Sequence, residues 1–447
     1  MKSRLLLVLS VSVLAAAGFA TPAVAEETTR YVALTGTDNP TCDKENPCRH
    51  VQHAADVAAA GETIRVEAGT YVEQVLVGKS LDIVGAGVDT TTIKGPDTKV
   101  LDDFLRTYVV ELTGAITVDM TRLTVDGPSG PGGGLDCAPN PLSLDNGISV
   151  VHGATLNLAL AAVRDIYDID ASGNENSGCQ RGTAISVGRP GGSPTPTMGH
   201  AHIAGVQVTR YQKNGVAVRS AGSTLTLLGS RVANQPSNVI ASNGVEVLDA
   251  ARGDVRDNSV TGNQCNVPVA CGPDPINNTE ASGILGFGAD AATLVANNDV
   301  RANDMGIYTD DATTIRDNRD SDNRTVGIYV DTDATHARIS GNTTNHDGSY
   351  GIAIGPMFLV SEGGTGKPNP GGNFFTNDTA FGNQKFDLWQ SADAGPNVNR
   401  NNHCGTAFPS KSYWDCDGGD GQGDGGHGGG EGADGGGGGH SPASKDD

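Results

Sequence analysis

The chain has few basic and few aromatic side chains. Lys and Arg number 30 against 52 Asp and Glu, a formal charge of −22, and aromatics make up 4% of its 447 residues. A surface so acidic repels the phosphate backbone, which excludes nucleic acid as a partner. It repels anionic polysaccharide as well, unless a local basic patch or a bridging divalent cation reverses the field. After residue 25 no apolar run approaches the about 20 residues of a membrane-spanning helix, so no membrane partner is expected. The eight cysteines and ten histidines show neither CxxC nor HxxxH spacing, which argues against zinc.

Helical periodicity is also missing from the second half, where four stretches superimpose. They are GVEVLDAARGDVRDNSVTGN from Gly244, GILGFGADAATLVANNDVRAN from Gly283, GIYTDDATTIRDNRDSDN from Gly306 and GIYVDTDATHARISGNTTNHD from Gly327. Each opens on a glycine and an apolar strand, passes an Asp-Ala turn, runs a second strand and reaches an asparagine. Starts at Gly283, Gly306, Gly327 and Gly351 lie 23, 21 and 24 residues apart, too short for a propeller blade and suited to one coil of a parallel β-helix. Period-two alternation places Ile307, Ile328 and Ile352 inward and Tyr308 and Tyr329 outward. The leucine frame of a horseshoe repeat is absent. The fold class expected is therefore all-β, with function on a long lateral face.

Two asparagine columns follow from the alignment: Asn258, Asn298, Asn318 and Asn342, then Asn263, Asn303 and Asn323 five residues on. Stacked at about 4.8 Å, their amides can bond from coil to coil. A third column, Asp249, Asp290, Asp311 and Asp333, with Asp310 and Asp331 beside it, would cap turn amides or share calcium.

Residues 1–25 read as a secretory signal peptide: early positive charge, an apolar run and the small Ala23-Val24-Ala25 site. The expected location is extracellular. Oxidised cysteines suit that compartment, and local grouping pairs Cys42 with Cys48, Cys265 with Cys271 and Cys404 with Cys416, leaving Cys137 for Cys179. Residues 26–62 read as a cap, in which Val51, Ala54, Ala55 and Ala58 recur at helical spacing and Gly61 stops the helix. The β-helix would run over 63–416. The Gly- and Asp-rich stretch 417–447 lacks the apolar side chains that ordering requires.

The amino-terminal segment and the glycine-led repeats resemble secreted proteins of the pectin-lyase-like, right-handed parallel β-helix superfamily, of the actinobacterial type, across roughly residues 30 to 400. The resemblance implies that fold; the superfamily hosts lyases, hydrolases, epimerases and adhesins, so it implies no one activity. Polygalacturonase-like enzymes are excluded: Asp310-Asp311 is present, but the GHG at Gly426 to Gly428 lies in the tail and no RxK occurs. Of a pectate-lyase-like arginine-proline motif only Arg189-Pro190 appears, in a loop where a turn suffices.

Long insertions at 126–146, 168–182, 233–243 and 264–282 precede glycine-led strands and should stack into a wall beside a lateral groove. Near it lie Asp165, Asp168, Asp170, Arg181 and the corner Arg210-Tyr211-Gln212-Lys213. Uronate lyase or epimerase chemistry needs a neutralised carboxylate, a base and an acid. Arg210, Lys213 and Tyr211 are the catalytic candidates, Arg181 and Asp170 the substrate contacts, Asp165 and Asp168 the ligands of a calcium ion. The partner expected is extracellular polysaccharide, met by a monomer that depolymerises or modifies it, or that binds it without catalysis.

Overall fold

The computed structural model describes residues 28–128, 137–168, 179–189, 197–234, 240–265, 281–331, 334–355, 371–391 and 394–416. Across them the strands form three all-parallel sheets, of 13, 12 and 12 strands. One full coil shows the order: Thr224–Leu228 in the first sheet, Arg231–Ala233 in the second, Asn243–Leu248 in the third. Each strand then pairs with its counterpart one coil on, as in Val245↔Ile284 and Ile307↔Ile328. The architecture is a right-handed parallel β-helix. Its repeat holds three strands where the alternation pattern shows two, because the second-sheet strands between the asparagine columns, such as Ser259–Thr261, have only 3 residues and too few positions to display a period.

Strand alternation sends Ile307, Ile328 and Ile352 into one continuous core that runs from Val32 to Trp414. Tyr308 and Tyr329 point the other way and join Leu285, Met305, Val326 and Ala353 in a second apolar cluster on the outer face of the third sheet. A seven-residue helix, Val51–Val57, buries Val51, Ala54 and Ala55 in the first coils. Glu73 accepts from the amides of Val51 and Gln52 at 2.9 and 2.8 Å, satisfying two donors that open any helix. At the far end a turn of helix, Lys411–Trp414, sets Trp414 edge-on to Phe375, with ring centroids 5.4 Å apart.

The asparagine columns are hydrogen-bonded ladders. Asn258, Asn298 and Asn318 each donate a side-chain N–H to the Oδ1 of the next residue in the column at 3.0 Å, ending on Asn342. Each Oδ1 also accepts the backbone N–H of the residue before it. The second column runs Asn263, Asn303, Asn323 in the same manner. Three of the aspartates cap turns: Asp310 accepts from Gly288 N at 2.9 Å, Asp311 from Ala289 N at 2.5 Å and Asp290 from Ala292 N at 2.9 Å, whereas Asp331 accepts from the Tyr308 and Tyr329 hydroxyls at 2.6 and 3.1 Å. Asp333 lies outside the described residues. Disulfides join Cys42 to Cys48, Cys137 to Cys179 and Cys404 to Cys416. Cys271 lies outside the described residues, as do residues 1–27 and 417–447.

Asp378 continues the first ladder with a carboxylate. Its Oδ1 accepts from Asn342 N and Nδ2 at 2.9 and 3.0 Å, while Oδ2 has no partner. Burial pushes this carboxyl up to about 7. A folded pKa above the unfolded one means full stability below about pH 4 and a growing loss as pH rises toward 7. Asp378→Asn would restore a donor facing Ile339 O, the carbonyl that the column's repeat offers. The variant should match the parent in acid and exceed it above neutrality by about 2–4 kcal/mol, read from denaturant unfolding at two pH values. Equal stabilities at both would contradict the buried-carboxyl account.

Candidate functional site

The outer face of the third sheet changes character along its length. Register stacks Glu111, Ser149, Ser186, Ala217 and Glu246 in one outward column, and the apolar cluster begins at the next position, Leu285. Over the polar half lies a groove of about 530 Å³. Arg106, Arg181, Arg189 and Arg219 form its walls together with Asp103 and Asp145, and Asn146, Gln180 and Thr183 add neutral polar groups.

Each arginine is fixed from behind by a carboxylate. Arg106 Nη1 lies 2.9 Å from Asp145 Oδ1, and Arg181 Nε lies 3.5 Å from the same oxygen. Arg189 binds Asp102 and lies 3.9 Å from Glu111 Oε2; Arg219 binds Glu246. Asp102, Asp168, Glu111 and Glu246 stay out of the groove wall, so the surface offered to a ligand carries four guanidinium groups and two carboxylates. Phe104 supports the centre: the Arg189 guanidinium stands 4.7 Å above its ring, and its other contact is His152 at 5.4 Å, a cation–π arrangement that fixes the fork. Lys99 ties the two loops of the rim, donating to Pro96 O, Asp97 O and Leu142 O.

Glu111 is the chemically distinctive group. It is 5% exposed and its Oε2 has no hydrogen-bond partner. Burial first, then the Asp102 charge, push it up to about 8 against the opposing pull of Arg189. A carboxyl held protonated at neutral pH is a competent acid. Glu246, four coils away in the column, is about 19 Å distant by strand spacing, so the two cannot act on one glycosidic bond.

The structure separates the residues that the sequence grouped. Arg181 reaches the groove, held by Asp168 Oδ2 at 3.3 Å and by Cys137 O at 2.6 Å. Asp168 is fully buried against it, whereas Asp165 sits on a corner of the second sheet, 2.6 Å from Arg210 Nε. Asp165 and Asp168 therefore do not converge on a common ion. Lys213 is half-buried and donates to Ala241 O at 3.0 Å. Tyr211 is the clear correction to the exposed-corner reading: it is 0% exposed, and its hydroxyl donates to Asn263 Oδ1 at 2.7 Å, at the head of the second ladder. Arg210 has a φ of 56°, a left-handed kink that turns the next side chain inward. Asp170 lies outside the described residues. Arg189, read from sequence as part of a turn, is in the site; Arg106, Arg219, Asp102 and Glu111 went unread, although a glutamate inside the apolar strand YVVELT was a usable signal. The one His/Cys/Asp/Glu group of metal-binding spacing among the described residues is Cys42, Cys48 and His53, and its thiols are joined in a disulfide.

Residues 195–356 match the family described as the right-handed beta helix region. No curated protein matches the chain. Among solved structures it is similar to the Dettilon tailspike protein, at 13% identity and TM-score 0.45, covering 84% of this chain and 61% of that one. It is similar to the mannuronan C-5 epimerase A-module of Azotobacter vinelandii, at 13% and 0.42, covering 82% and 90%. A lacto-N-biosidase from Eubacterium ramulus gives 14% and 0.45, covering 84% and 67%. Likeness at this level concerns the fold; the chain spans about three fifths of the tailspike's length.

Proposed function

We propose that this chain is an extracellular polysaccharide-binding protein that takes acidic sugar units in the groove of the third sheet, with Glu111 as acid for their cleavage or modification. The observation that carries this reading is four arginines walling one groove on a chain of charge −22. Each guanidinium is already balanced by its carboxylate, so what the groove offers an anion is the outward edge of the forks, whose paired N–H donors suit carboxylate recognition. Glu111 lies behind Arg189, outside the groove wall, so its acid role requires that a bound carboxylate draw Arg189 forward and uncover it; its protonated carboxyl then gives its proton to a glycosidic oxygen. Three disulfides, and no membrane-length apolar helix among the described residues, agree with an extracellular setting.

The test is a panel of acidic and neutral polysaccharides against the parent and Arg106→Gln. Arg106 is exposed, and Asp145 keeps Arg181 and Thr107 N as partners without it, so the fold should be spared. Affinity for acidic chains should fall about tenfold and lose part of its salt dependence, with neutral chains unaffected. Acidic binding that ignores the substitution removes the groove from the reading. Binding without new reducing ends, unsaturated products or epimerised sugars makes the face a receptor surface and removes the acid role of Glu111.

A further inference from the structure

Glu111 and Ser149 stand side by side in an outward column of the third sheet, yet they are 5% and 0% exposed. Part of their cover is the chain just before the sheet. Residues 101–106 start from its entry edge, where Arg106 pairs with Asp145, and reach its exit edge, where Asp102 pairs with Arg189 and Asp103 with His152. Asp145 immediately precedes the strand Asn146–Val151 and His152 immediately follows it, so the side chains of this short segment bridge the two edges of the face.

The bridge is fixed at its roots and lightly held in between. Lys99 N donates to Pro141 O at 2.8 Å and Thr107 N to Asp145 Oδ2 at 2.9 Å, both from buried residues. Between these roots the turn closes on itself: Asp102 Oδ1 accepts from Phe104 N and Arg106 N at 2.8 and 2.7 Å, and Asp102 N donates to Arg106 O at 2.8 Å. No backbone group of 101–106 bonds to a described residue outside the turn. Its hold on the sheet is by side chains. Asp102 and Arg106 make their ion pairs, Asp103 lies 3.0 Å from His152 Nε2, and the Phe104 ring stacks on His152 at 5.4 Å and carries the Arg189 guanidinium at 4.7 Å. Leu105, at the tip, is 57% exposed and left-handed with a φ of 58°, a conformation that a side chain adopts at a cost. A unit bonded internally and held externally by ion pairs at the solvent edge opens at low free energy.

We propose that residues 101–106 are a strap over Glu111, and that a carboxylate-bearing sugar releases it by taking Arg189 from Asp102. The release rests on the acidic-sugar reading of the groove, to which it adds the opening step. Arg189 is both the cover of Glu111 and an anchor of the strap, so one displacement does both tasks. A ligand carboxylate that draws the guanidinium forward parts it from Asp102, frees the Phe104 ring and lets the turn swing on Lys99 and Thr107. The same carboxylate then stands where Asp102 stood, which keeps a negative neighbour beside Glu111 and its proton in place. Neutral sugars do not compete for Arg189 and leave the strap closed, so charged units are selected before the acid is uncovered.

Opening is read with a buried thiol. Ser149→Cys places one under Arg189, whose Nη2 lies 3.3 Å from Ser149 Oγ, and among the described residues no native cysteine is free to compete. Alkylation of the full chain by iodoacetamide is followed in chloride alone, with D-glucose and with D-glucuronate at equal ionic strength, while calorimetry reports whether glucuronate binds. Glucuronate near ten times its Kd should raise the rate about tenfold, and glucose should leave it unchanged. Phe104→Ala, which takes the ring from Arg189 and His152, should raise the rate about tenfold without any sugar. Should the thiol variant fail to fold, modification of His152 by diethyl pyrocarbonate in the parent, mapped by peptide, takes its place, because Asp103 engages Nε2 only while the strap is down. Glucuronate that binds without changing the rate overturns the strap and spares the groove. Glucuronate that neither binds nor accelerates removes the acidic-sugar reading, and the strap's release with it. A rate that Phe104→Ala leaves unchanged means that Ser149 is reached by another route, and overturns the proposal as well.

Discussion

Replacing Asn318 with alanine is expected to cost about 3–5 kcal/mol of stability, more than a surface change elsewhere on the solenoid. Asn318 Oδ1 accepts from Asn298 N at 2.9 Å and from Asn298 Nδ2 at 3.0 Å; its own Nδ2 donates to Val295 O and Asn342 Oδ1, each at 3.0 Å. Alanine deletes all four bonds. The Asn298 amide N–H is then stranded in the interior, and Val295 O loses its side-chain donor. Each such group carries a desolvation penalty of about 1–3 kcal/mol. The loss also lands on the contact between coils, the quantity that makes a solenoid unfold as one body. Denaturant unfolding should therefore show a lower midpoint and a broader transition, with faster hydrogen exchange at the Asn298 amide. A cost under about 1 kcal/mol would mean that water enters and replaces the amide, and the ladder would then be a consequence of stacking and not a cause of it.

The coil was legible in the sequence because its determinants recur in register. Asn298, Asn318 and Asn342 mark one corner three times over, and Ile307, Ile328 and Ile352 mark the core. Where the repeat becomes irregular, legibility fails for a physical reason. The groove is assembled from residues that flank four successive strands of the third sheet, Arg106, Asp145 and Arg181 just before a strand and Arg189 and Arg219 just after one. No local spacing links them, since loops of different length separate residues that pairing places side by side. The Arg210-Tyr211 corner failed for the opposite reason: its sequence is local and polar, yet one left-handed residue reverses the facing of the next side chain. Disulfide pairs were legible where the cysteines are neighbours, and Cys137–Cys179 followed by elimination.

Glu111→Gln should separate activity from stability more sharply than any substitution of the arginines that wall the groove. Glutamine keeps the shape and polarity of the neutral acid, which is the form that burial and Asp102 impose below about pH 8. It cannot release a proton. If Glu111 is the acid, turnover of an acidic polysaccharide falls about a hundredfold to ten-thousandfold, while binding, carried by the arginines, changes little. The parent's own rate should decline as pH rises through about 8 and the proton is lost. The substitution acts on stability in the opposite sense. The folded pKa lies above the unfolded one, so the parent loses stability as pH climbs from about 4.5 toward 8, and the glutamine variant does not. At neutral pH the variant should equal or exceed the parent by about 1–2 kcal/mol. A variant that is inactive and less stable would mark Glu111 as a structural partner of Arg189. One that is active and more stable would leave the groove as a binding surface, with the glutamate a cost that some other function of this face must explain.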